Sequence, residues 1–167
     1  KDGFLHYSDL GASYKSFEKA TKIALNGKPS FDCKIEPEID KYGKIKDFIS
    51  ANQKLLVQVT KEPISSKGPK VTTEITLPGR YLVLIPFSNK ISVSQKIEDP
   101  EEKNRLIRLI ESIRPKNFGV IIRTVAQNRK VAELNQDLQE LNEKWLSIYQ
   151  RAKDVKPPKK ILGELNR

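Results

Sequence analysis

The sequence predicts an α+β chain: an antiparallel β-region followed by a small β-sheet packed with two helices, the second of them long. Three observations carry this expectation. Runs of β-branched and aromatic residues cluster between Leu55 and Ile97, a pattern that suits pleated strands. A stretch with helix start and stop signals runs from Asp99 to Pro115. Beyond it, apolar residues recur at helical spacing from about Arg129 to Lys153.

The elements follow in order. Gly3 to Leu10 alternates loosely and ends in turn-prone residues, which predicts a short strand. Residues 12–45 are rich in lysine and broken by Asn26-Gly27, Pro29, Pro37 and Gly43. They read as a basic, solvated insertion with room for a short helix around Phe17 to Leu25. Leu55 to Lys61 is a strand, and Val71 to Leu77 another after the turn at Lys67-Gly68-Pro69. Past Pro78-Gly79, the apolar run Arg80 to Pro86 predicts a buried strand, with Ile91 to Ile97 as its hairpin partner across Ser88-Asn89-Lys90.

The next helix is marked chemically. Asp99 can accept from an orphan amide, Pro100 suits the first helical position, and Glu101 and Glu102 complement the positive end of the dipole. Its stripe is Leu106, Leu109, Ile110 and Ile113. Phe118 to Thr124 then predicts a buried strand with a polar pair, Arg123-Thr124, at its carboxyl end. In the long helix the stripe is Val131, Leu134, Leu138, Leu141, Trp145, Ile148 and Ala152. It is read as core, with a coiled-coil seam as the alternative. Lys156-Pro157-Pro158-Lys159-Lys160 ends the helix and opens a linker.

With 31 Lys and Arg against 21 Asp and Glu, the 167 residues carry a formal charge of +10, which favours polyanionic partners over a bland solvated surface. The single cysteine, Cys33, excludes an intramolecular disulfide and a cysteine-rich zinc site and fits a reducing compartment. No apolar run approaches a membrane span, so no membrane partner and a cytoplasmic location are expected. The chain lacks methionine and opens on Lys1-Asp2-Gly3, which reads as an internal segment.

Catalysis finds little support in these residues. His6 and Cys33 have no visible partners, and helix capping accounts for Asp99, Glu101 and Glu102, though not Glu98, with no histidine near to suggest a metal. No catalytic or metal-ligating residue is therefore assigned. What remains suits binding: Arg123 offers a planar fork for phosphate and Thr124 a hydroxyl, although an arginine at a strand end also suits plain surface pairing.

Val71-Thr-Thr-Glu-Ile-Thr-Leu-Pro-Gly-Arg-Tyr-Leu-Val-Leu-Ile-Pro86, followed by Gly119-Val-Ile-Ile-Arg-Thr124, strongly resembles the 5′-end sensor region of the ribonuclease E/G family. Asp137-Leu138 and Trp145 continue the likeness. Gly3-Phe4-Leu5 and Leu55 to Lys67 look like the second half of that family's OB-fold RNA-binding domain. The resemblance implies three segments: a partial OB-fold over 1–73 carrying the insertion, a 5′ sensor region over 74–155, and a linker over 156–167.

It also implies that Gly79, Val83, Arg123 and Thr124 form a pocket for a 5′ monophosphate, and that Phe4 and Lys67 contact single-stranded RNA. For Phe4 core packing stays open as the alternative, and for Lys67 an ordinary turn. The implied parent is a homo-oligomeric, magnesium-dependent endoribonuclease of ribosomal RNA processing and message decay. Its magnesium ligands, zinc-linking cysteines and further OB strands match nothing in this sequence, so no cofactor and no catalysis are expected of the segment. Two other readings remain: a stand-alone RNA- or ribosome-binding module, and an adaptor whose long helix docks a protein.

Overall fold

A computed structural model describes residues 2–25 and 34–163. The predicted α+β class is what it shows: three α-helices, a two-stranded antiparallel ribbon and a mixed four-stranded sheet. The chain divides into two compact units, one made of Lys1–Ile75 with Arg151–Arg167, the other of Thr76–Gln150.

In the first unit, strands β1 (Gln58–Lys61) and β2 (Lys70–Thr72) pair antiparallel. The expected strand from Gly3 to Leu10 does not form. Phe4 alone bridges to Lys70, and Tyr7–Asp9 turn into a 3-10 helix. The reason lies in the two threonines that follow β2. Thr72 Oγ1 donates to the Asp9 carbonyl (2.6 Å) and Thr73 Oγ1 to the Leu10 carbonyl (2.7 Å), so these carbonyls are satisfied without a ladder. The same bonds end β2 at Thr72 and break the expected run to Leu77.

The lysine-rich stretch is also different from its expectation. Helix α1 (Tyr14–Leu25) buries Tyr14, Phe17 and Ala20, spaced as one helical face, beside the buried Leu10. The Gln53 amide donates to Tyr14 Oη (3.2 Å) and to Glu18 Oε1 (3.1 Å), and the Glu36 amide N–H donates to the buried Ser16 hydroxyl (2.8 Å). This part of the segment is core, not a solvated excursion. Cys33 lies outside the described residues.

The second unit is the sheet with its helices. Strands β3 (Leu77–Pro78), β4 (Leu82–Pro86), β5 (Ile91–Val93) and β6 (Phe118–Ile122) are ordered β3-β4-β6-β5. The predicted β4–β5 hairpin is absent: β6 lies between them, antiparallel to β4 and parallel to β5. Phe87, with φ of 59°, turns the chain away directly after β4 and donates its amide to Asn117 (2.8 Å). The wholly apolar β6 thus gains partners on both edges, as a strand without a polar edge requires.

Helix α2 (Pro100–Ile113) supplies the crossover from β5 to β6. Asp99 caps it as expected, accepting from Glu101 N–H at 3.0 Å. Helix α3 (Val131–Lys153) follows β6. Leu82, Leu84, Val120 and Ile122 are fully buried together with Leu106 and Ile110 of α2, and Leu134, Leu138, Leu141 and Trp145 of α3 are buried as well. Trp145 meets Phe87 edge to face at 5.9 Å. Val131, at the start of the predicted stripe, is instead 53% exposed. The alternate residues Val83 and Ile121, paired in register, stand on the less covered face of the sheet.

Candidate nucleic-acid interface

The carboxyl end of β6 brings the polar pair to the open side of the sheet. Along β6 the residues 118, 120 and 122 face the core, so the two-residue period sends Ile121 and Arg123 the other way. The backbone of Arg123 is fixed by its N–H bond to the Tyr81 carbonyl (2.9 Å). Its Nη1 donates to the Gly79 carbonyl at 2.7 Å and, more weakly, to that of Arg80 at 3.3 Å. The side chain is exposed, and its Nε and Nη2 have no partner among the described residues. Thr124 leans the opposite way: its hydroxyl shares a 2.7 Å hydrogen bond with Ser94, just past β5.

Gly79 is held from below. The buried Asp137, on the first half of α3, accepts from the amides of Arg80 (3.1 Å), Tyr81 (2.9 Å) and Leu82 (2.9 Å), and so fixes the turn that carries both carbonyls to Arg123. A Cβ at position 79 would fall 2.7 Å from both Asp137 oxygens. The structure therefore places Gly79 in contact with Arg123, Val83 on the same face one register step before it, and Thr124 beside it. It also adds Ser94 and Asp137, which the sequence reading did not single out as site residues. Asp137 belonged to the family likeness without a role attached to it, and its position on the stripe side of α3, one residue before Leu138, marked it as inward.

Behind this site, Glu102 closes a second set of bonds. Its carboxylate accepts from Arg105 Nε (2.8 Å) and Nη2 (2.7 Å) and from the Asn128 amide (2.8 Å). The Arg105 hydrogen bonds hold its carboxyl below the ordinary glutamate range against the opposing effect of burial, and the Asn128 N–H adds to them. Arg105 Nη2 also donates to the Arg129 carbonyl (3.0 Å), so α2 clasps the segment between Thr124 and α3.

In the first unit, Phe4 is 58% exposed rather than in the core, its ring edge-to-face with His6 at 4.4 Å. Its backbone is tied to the predicted turn: Phe4 N–H donates to Pro69 (2.8 Å) and Val71 N–H to Phe4 (2.9 Å). Lys67 is exposed in that turn, and Gly68 presses so close to Asp2 that a Cβ would fall 1.7 Å from its carbonyl oxygen. Val59 and Ile64 are exposed in the same unit, 55% and 73%. Phe4, Val59 and Ile64 thus put apolar side chains at the surface of this unit.

Comparison with known proteins decides what kind of chain carries these features. Residues 76–167 match the model of the Ribonuclease E/G family. The chain belongs to the ribonuclease E/G family. Ribonuclease E of Nostoc sp. is 40% identical over 158 residues, which covers 95% of this chain and 20% of that protein. Ribonuclease G of Haemophilus influenzae is 34% identical over 160 residues, and Ribonuclease G of Escherichia coli 34% over 161. Each alignment covers 95% of this chain and 32% of the relative. The chain thus spans a third or less of the length of these ribonuclease E and G relatives. The stretch matched to the ribonuclease E/G model contains Gly79, Val83, Arg123 and Thr124, whereas Phe4 and Lys67 precede it.

Proposed function

We propose that this region of a ribonuclease E/G family protein recognises the 5′ monophosphate of RNA through Gly79, Val83, Arg123 and Thr124, while Phe4 and Lys67 grip single-stranded RNA. The parent is a cytoplasmic, homo-oligomeric endoribonuclease that processes ribosomal RNA and degrades messages, with this region selecting the substrate end. The partial OB-fold in residues 1–73 and the sensor in 74–155 are the two working parts, joined onward by a linker in 156–167. The observation that carries the reading is the posture of Arg123. Two backbone carbonyls immobilise Nη1 and leave Nε and Nη2 open at the surface, an arrangement that suits a terminal phosphate, with Thr124 the next residue along the chain. Val83 and Ile121 supply an apolar floor for the first base.

Among the described residues there is no group of three or more His, Cys, Asp or Glu that could hold a metal. Binding of the RNA end is derived without one. No described helix is long and apolar enough to cross a membrane.

Fluorescence anisotropy with otherwise identical short RNAs bearing a 5′ monophosphate, hydroxyl or triphosphate tests the proposal. The monophosphate is expected to bind most tightly, and Arg123→Ala to erase its advantage at unchanged melting temperature, since the side chain is exposed. Phe4→Ala should weaken all three RNAs alike, by about 1–3 kcal/mol for one stacked base. Equal binding of the three RNAs by the unaltered chain would refute end recognition.

A further inference from the structure

Two more arginines gather beside the Arg123 site; among the described residues Arg80 has no acidic partner, and Arg129 has only a long, exposed pairing with Glu133. Tyr81, whose carbonyl holds the Arg123 backbone, carries the guanidinium carbon of Arg80 5.2 Å and that of Arg129 5.4 Å from its ring centroid. Both arginines are exposed, whereas Tyr81 is 5% exposed. The aromatic ring therefore acts as a shelf that pre-positions two cations. Charges facing them are sparse: Glu133 stands 3.7 Å from Arg129 Nη1, and Asp137 is occupied by three backbone amides. Arg129 Nε reaches Val125 O only at 3.4 Å. An open depression of about 640 Å³, lined by Gln127, Asn128, Arg129, Lys130 and Glu133, begins three residues after Thr124.

We propose that Arg80 and Arg129, seated on Tyr81, form a second anion subsite that holds the phosphodiester following the first nucleotide, with the depression receiving the next one. The inference rests on the end-recognition reading in assigning direction to the strand. Its chemistry is that of the RNA backbone, so it adds affinity without reading the 5′ group.

The test titrates the full chain with 5′-monophosphate and 5′-hydroxyl RNA over a series of salt concentrations. In the double variant Arg80→Gln, Arg129→Gln both RNAs should bind roughly tenfold more weakly. The ratio between them should be kept, and the slope of log affinity against log salt should become shallower by about 0.7, as when one phosphate fewer is neutralised on a single strand. Arg129→Lys, which retains the charge, should keep the slope. If the double variant melts at a lower temperature, the single variant Arg80→Gln, at an exposed side chain, gives the same readout on a folded chain. Unchanged affinity and slope in a folded variant would overturn the subsite, as would a loss confined to the monophosphate RNA. If the unaltered chain shows no monophosphate preference, end recognition fails by itself, and the salt slope still decides the subsite.

Discussion

A methyl group at position 79 would meet both carboxylate oxygens of Asp137 at 2.7 Å, a distance that no packed Cβ sustains. The glycine in the proposed phosphate site thus answers first to the carboxylate beneath it. Gly79→Ala is expected to cost about 1–3 kcal/mol of stability, as overpacking does. It should also displace the carbonyls that hold Arg123, lowering monophosphate preference while leaving the binding of hydroxyl-ended RNA near its starting value. Thermal melts paired with anisotropy check both halves. The residue types at Gly79, Val83, Arg123 and Thr124 were legible in the sequence because a motif names them. Ser94 and Asp137 were not, because their roles consist of distances across 30 and 55 or more residues of chain, which no local pattern encodes.

At the level of elements, the two later helices were readable and the strand pairing was not. Asp99, Pro100 and the apolar stripe of α2 each have local causes, and all appear at the predicted positions. Pairing between strands is non-local: the Ser88-Asn89-Lys90 turn looked sufficient for a hairpin, yet β6, more apolar than β5, takes the place beside β4. The short helix expected around Phe17 to Leu25 forms as α1, but its lysines hid that the face carrying Tyr14, Phe17 and Ala20 is buried. The buried stripe of α3 also bears on the adaptor reading, since Leu138 and Leu141 are each 2% exposed within the chain itself. Leu141→Ala should therefore destabilise the fold by about 2–5 kcal/mol. Chemical denaturation measures this; a variant that stayed fully stable but lost a protein partner would restore the adaptor.

For the molecule as a whole, acid stability follows from the same geometry. Glu102 is held below the ordinary glutamate range when folded, chiefly by Arg105. Its contribution is therefore fully present above the unfolded value and is lost as pH falls through the folded one. Melting temperature is expected to drop between about pH 5 and pH 3, and Glu102→Gln to be less stable near neutrality with a shallower acid decline. Differential scanning calorimetry across that range decides it; an unchanged profile in the variant would assign the acid loss elsewhere, for which Glu36, its carboxyl lowered by the hydrogen bond from Lys19, is the next candidate.

The place of β6 between two strands made before it also constrains the order of assembly. The lane between β4 and β5 belongs to β6, which follows both in the chain, so no pairing of those two is kept in the native sheet. The late-arriving Phe118–Ile122 closes the lane and in the same movement delivers Arg123 to the Gly79 turn and Thr124 to Ser94. The turn in its final form also needs Asp137 of α3, which follows β6 in the chain and accepts from the amides of Arg80, Tyr81 and Leu82. Sheet completion and the seating of Arg123 and Thr124 on their partners are thus one event.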